Sequence, residues 1–81
     1  MRSTKMELYL AVVCLVFYGR RFVPEDVRGV LGVSRSEAYR IIRVGLEEGY
    51  IKRVEPGVYT VKRVPDRAKA IVRFMFPFIE E

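Results

Sequence analysis

The stretch Val30-Leu31-Gly32-Val33-Ser34-Arg35-Ser36-Glu37-Ala38-Tyr39-Arg40-Ile41-Ile42-Arg43, continued by Leu46-Glu47-Glu48-Gly49-Tyr50-Ile51-Lys52-Arg53, decides the fold of this 81-residue chain. Ser34 followed three residues later by Glu37 is a helix start: the hydroxyl can accept the Glu37 amide N–H, and the carboxylate can reach back. Beyond it, Ala38, Ile41, Ile42, Gly45 and Leu46 share one face by three-and-four spacing. Arg35, Ser36, Tyr39, Arg40 and Arg43 fall mainly on the other. The spacing predicts a helix over 34–48 that buries an apolar stripe, shows a basic face to solvent and stops at Gly49. Gly45 inside it costs about 1 kcal/mol against alanine, so it either permits a close helix contact or marks a bend.

On the upstream side, Pro24 suits a first helical turn, Glu25 and Asp26 favour the positive end of the helix, and Val27, Val30 and Leu31 form a stripe. A helix over 24–31 follows, closed by Gly32 in the left-handed conformation that turns the chain sharply. On the downstream side, Tyr50 to Val54 and Val58 to Val64 read as strands of a hairpin over 50–64. Their connection, Glu55-Pro56-Gly57, fits a type II turn or a slightly longer loop with Gly57 at positive φ.

The flanks supply two more helices. Thr4 and Glu7 repeat the capping pattern ahead of the apolar run Leu8 to Tyr18, which predicts a helix over 4–18 ended by Gly19. That run is apolar nearly all round, so one face can fill a core while another needs a second cover, from the C-terminal segment or from another subunit. Pro65 breaks the second strand and Asp66 starts a last helix over 66–76, with Ala68, Ile71, Val72 and Met75 facing the body. Phe74, Phe76, Phe78 and Ile79 leave more apolar surface than one face accounts for.

Composition agrees with a single domain over residues 1–81. At 51% hydrophobic and 31% charged the chain is expected to fold around one core. Its formal charge of +5 comes from 15 basic residues, of which 11 are arginine, against 10 acids, a weak pointer to polyanions. There is no His, hence neither the usual neutral-pH general base nor the commonest zinc ligand. The lone Cys14, inside the apolar run, reads as a buried inert thiol. Glu25-Asp26 and Glu47-Glu48 are neighbours whose side chains diverge by about 100° on a helix, so neither pair forms a cooperating dyad. No enzyme, metal site, cofactor or small-molecule effector is expected. The apolar run is eleven residues long, short of a membrane span, and a cytoplasmic protein is expected. Asn, Gln, His and Trp are all missing, and the absence of thermolabile amides beside abundant Arg, Glu and Val points to a thermophile.

Helix, helix, glycine turn, basic-faced helix and Pro-Gly hairpin together resemble the small archaeal and bacterial winged helix-turn-helix DNA-binding proteins of the broad MarR/ArsR-like group. The resemblance implies a mainly α fold with a small β-hairpin, here with an additional C-terminal helix. It also implies that the third helix enters the major groove, through Arg35, Ser36, Tyr39, Arg40 and Arg43, and that the wing carries Lys52, Arg53, Lys62 and Arg63.

The residues themselves point the same way. A helix start capped by Ser34 can hold a phosphate, and Arg35 and Arg40, near that start and one turn on, can take guanine O6 and N7 together. Arg43, deeper along the helix, suits a phosphate; Tyr39 suits a thymine methyl or a phosphate, or else packs partly on the core. Salt bridges to Glu37 and Glu47 would instead make the arginines an ordinary solvated face. Adjacent strand residues point to opposite faces, so only about half of the hairpin cations can meet one duplex. Arg20 and Arg21 are either phosphate contacts or plain loop residues. The expected function is therefore double-stranded DNA binding by a transcriptional regulator; the alternative is a winged-helix protein-interaction module. The apolar surplus predicts a homodimer through Leu8, Val12, Leu15, Ile71, Phe74, Met75 and Phe78, a simpler use of these side chains than peripheral membrane anchoring.

Overall fold

The computed structural model describes residues 4–75, and their side chains except at positions 72, 74 and 75. In chain order it contains α1 (Thr4–Val16), β1 (Arg21–Phe22), α2 (Pro24–Leu31), α3 (Arg35–Glu48), β2 (Ile51–Glu55), β3 (Val58–Val61) and α4 (Asp66–Met75). The fold is mainly helical with a small antiparallel sheet and an added C-terminal helix, the class expected from the sequence.

Met6, Leu10, Val13 and Cys14, spaced by three and four, bring one side of α1 into the core, joined by Phe17 just past the helix end. They meet Val27 of α2, Ala38, Ile41 and Ile42 of α3, and Phe22, Ile51 and Tyr59 of the sheet. Phe17 and Phe22 stack with ring centroids 4.9 Å apart, and Tyr59 lies 6.1 Å from Phe22. These aromatic pairs close the core beneath the sheet. Helix α4 lies against α1, with Ala68 fully buried and an ion pair of 3.3 Å from Arg67 Nε to a Glu7 carboxylate oxygen. The second cover that α1 requires therefore comes, in part, from its own chain.

Three expectations are corrected. Helix α1 stops at Val16, not Tyr18, because the chain turns through Gly19 at φ 75° to enter an unforeseen strand. That strand, β1, is only two residues long; it pairs Arg21 with Thr60 and Phe22 with Tyr59, giving the sheet order β1-β3-β2. A two-residue strand has no visible alternation, so Arg20 and Arg21 looked like loop. The second hairpin strand ends at Val61, not Val64, because the Lys62 and Arg63 N–H groups both turn to the Tyr50 carbonyl, at 2.7 and 3.3 Å.

Candidate nucleic-acid interface

Helix α3 is set by the turn that precedes it. Gly32, at φ 68°, closes α2 by donating its N–H to the Arg28 carbonyl at 2.7 Å. Arg28 then clamps the turn: its Nε donates to the Val33 carbonyl at 3.3 Å, and the same guanidinium holds Glu25 at 3.1 Å. Nothing in the spacing singled out Arg28, although a cation in the last turn of a helix is the available signal. At the other end of α2, the Val23 N–H donates to the Asp26 carboxylate at 3.0 Å, with Pro24 opening the helix.

Ser34 caps α3 by accepting the Glu37 N–H at 3.1 Å. The Glu37 carboxylate meets Arg40 at 3.4 Å. The inner face consists of Ala38, Ile41, Ile42 and Gly45, all buried. Leu46, expected with them, is 37% exposed and so stands at the margin of that stripe.

The outer face presents Arg35, Ser36, Tyr39, Arg40 and Arg43, all exposed. The Arg35 guanidinium lies 6.0 Å from the Tyr39 ring centroid, at the outer limit of cation–π attraction. Tyr39 is 44% exposed and does not join the core cluster. Among the described residues, the side chain of Arg43 makes no ion pair or hydrogen bond, so of the two bridges expected for a solvated face the one to Glu37 forms and the one to Glu47 does not.

Beside α3 stands the hairpin. β2 pairs Lys52 with Thr60 and Arg53 with Tyr59, and an irregularity between Arg53 and Glu55 shifts the register. The alternation puts Lys52, Thr60 and Arg21 in one row on the face away from the core, and Arg53 on the face of Ile51 and Tyr59. Arg21 reaches Glu55 at 3.8 Å with both side chains more than half exposed, a weak pair. Lys52, Arg53, Lys62 and Arg63 are all exposed. The hairpin tip is a Pro56-Gly57 turn with Gly57 at φ 78°, as the third position of a type II turn requires. Arg63 stands apart from the other wing cations. Its guanidinium stacks 4.5 Å from the Tyr50 ring centroid and donates to the Glu48 carbonyl at 3.1 Å.

A helix, a tight left-handed turn, a second helix with a basic outer face and a hairpin packed at its end are now all in place. The chain folds as a winged helix-turn-helix. Compared with protein-family models and with curated proteins, it matches none. Among solved structures it is similar to the crystal structure of T. acidophilum IdeR, with a TM-score of 0.60 and 25% identity over 93% of this chain. The winged helix spans 35% of that chain's length. The likeness supports a winged-helix DNA-binding fold related to that of IdeR, and not the MarR/ArsR-like group in particular. Among the described residues, no group of three or more His, Cys, Asp or Glu could hold a metal ion, and no helix is long and apolar enough to cross a membrane.

On α1, the expected dimer residues Leu8, Val12 and Leu15 run along one side at four- and three-residue spacing; Leu8 is 40% exposed and the other two are half-buried. Ile71 on α4 is half-buried as well. The side chains of Phe74 and Met75, and all of Phe78, lie outside the described residues.

Proposed function

We propose that this winged helix binds double-stranded DNA as a homodimer and regulates transcription by occupying a preferred site. α3 enters the major groove and the hairpin follows the sugar-phosphate backbone. The observation that carries this reading is the outer face of α3, where Arg35, Arg40 and Arg43 stand exposed beside Ser36 and Tyr39, with Glu37 as the acid at its start. A solvent-facing helix with three arginines matches a groove lined by phosphates and by guanine acceptors.

Roles follow from position along α3. Arg35 and Arg40 lie within the first turns, where a docked helix meets base edges; Arg40 exchanges its exposed bond to Glu37 for a base at little loss. Ser36 and Tyr39 contact the groove wall beside them, and the Ser34 cap faces a phosphate. Arg43, with no partner for its side chain among the described residues, takes a phosphate, as do Lys52, Arg53 and Lys62 of the wing according to which face meets the duplex.

Binding of the purified protein to a random duplex library at several salt concentrations tests the proposal. If about six phosphates are contacted per dimer, the log-log slope of affinity against salt is near −5. Enrichment of a two-fold symmetric site is the expected result. No duplex binding at roughly 50 mM salt, where charge contacts are strongest, rejects the proposal and leaves the protein-interaction module.

A further inference from the structure

Arg63 belongs by charge to the wing cations, yet its surroundings differ from those of every other one. Its guanidinium, though exposed, lies against the end of α3: the Tyr50 ring is on one side at 4.5 Å, and a Cβ at Gly49 would meet Nη2 at 3.7 Å and Nε at 3.9 Å. Nη2 donates to the Glu48 carbonyl at 3.1 Å, one of the last carbonyls of α3, where the helix carries partial negative charge. The backbone joins the same knot. Tyr50 donates its own N–H to the Gly45 carbonyl at 2.9 Å, and its carbonyl accepts the N–H of Lys62 at 2.7 Å and of Arg63 at 3.3 Å. One side chain thus ties three things together: the C-terminus of α3, the entry to β2 and the exit from β3.

We infer that Arg63 is a positioning residue that fixes the angle between the wing and the recognition helix, and that it does not touch DNA. This rests on the DNA-binding reading above. A planar guanidinium can stack on the ring and donate in its own plane at the same time; an ammonium cannot do both. The site also lies at the far end of α3, about 20 Å along the axis from the capping Ser34 at roughly 1.5 Å per residue. Gly49 adds a backbone condition. It adopts φ 84°, the left-handed cap that L side chains rarely take, and the guanidinium lies at ordinary van der Waals distance from where a Cβ would stand.

Duplex binding against salt for wild type, R63A, R63K and K52A, together with amide hydrogen exchange of the free proteins, separates the possibilities. R63A is expected to lose affinity by roughly fivefold, with the salt slope unchanged, because loosening the wing weakens its contacts without removing a phosphate partner. R63K is expected to behave like R63A. K52A, which deletes a cation proposed to meet phosphate, is expected to make the slope shallower by about 0.9 for each phosphate left without its cation. In free R63A the amides of Tyr50, Lys62 and position 63 exchange faster while those of the α1 core do not. A shallower slope in R63A that R63K restores makes Arg63 a phosphate ligand and overturns the inference; so does unchanged exchange at the three amides. Wild-type protein that binds no duplex, with the exchange result as expected, sinks the DNA reading alone.

Discussion

At position 45, α3 crosses α1 and the start of β2 so closely that a Cβ would lie 2.9 Å from Cγ1 of Ile51 and 3.1 Å from Cδ1 of Leu10. Both of those side chains are at most 2% exposed, so neither can swing aside into solvent. Gly45 is therefore a close-contact glycine, and α3 runs unbroken through it from Arg35 to Glu48. In Gly45→Ala the overpacking penalty of about 1–3 kcal/mol exceeds the roughly 1 kcal/mol gained in helix propensity. The expected outcome is a net loss of about 1 kcal/mol, read as a lower urea midpoint at unchanged slope. Cys14, fully buried in α1, has its thiol pushed up from 9.0 to about 11 by burial. Between those pH values the unfolded chain releases the thiol proton while the native chain keeps it, so the thiol's contribution makes stability fall as pH rises. Urea melts of wild type and Cys14→Ala from about pH 8 to about 11 check this: their difference in stability shifts in favour of the variant across that window.

Within an element, position along the axis divides reading from holding. Arg35→Ala or Arg40→Ala is expected to relax preference at one base pair by about 1–3 kcal/mol, whereas Arg43→Ala or Lys52→Ala weakens all sequences alike. Competition between a selected site and a scrambled duplex distinguishes them, and equal losses on both for Arg35→Ala and Arg40→Ala refute the base assignment. The helical elements were legible because each carries its own start and stop: Pro24 and Gly32 for α2, Ser34 and Gly49 for α3. The exposed basic face of α3 was legible for the same reason, since 3.6-residue periodicity is a local property. β1 was not, because its two residues form a strand only by pairing with β3, some forty positions away. The knot around Arg63 was equally hidden. Its partners Glu48 and Tyr50 lie more than ten residues upstream, and in sequence Arg63 is one more cation beside Lys62.

For the molecule as a whole, the open question of the α1 surface is partly answered by α4, which covers one side of that helix and buries Ala68. Among the described residues, another side stays open. Leu8 and Val16, 40% and 38% exposed, lie on it with Val12 and Leu15 half-buried between them. Four apolar side chains along about two and a half helical turns are poorly matched to water and well matched to a copy of themselves, because a two-fold axis lets one patch serve both partners. Helix α1 packs on the inner face of α3 through Leu10 beside Gly45, so a seam on its open side leaves the outer face of α3 free. Two copies of α3 could then enter successive major grooves about 34 Å apart. The proposed dimer is thus a seam along α1, and it is testable without touching any proposed DNA contact. Sedimentation equilibrium at micromolar concentration is expected to give about 19 kDa, twice the 9.5 kDa of one chain. Leu8→Glu places a charge at the seam but at an exposed position of the isolated fold, so it is expected to give 9.5 kDa with an unchanged circular dichroism spectrum. Its duplex affinity is expected to fall by at least roughly tenfold, since two half-sites are no longer held by one particle. A wild-type mass of 9.5 kDa, or a Leu8→Glu variant that still sediments as the dimer, rejects the α1 seam.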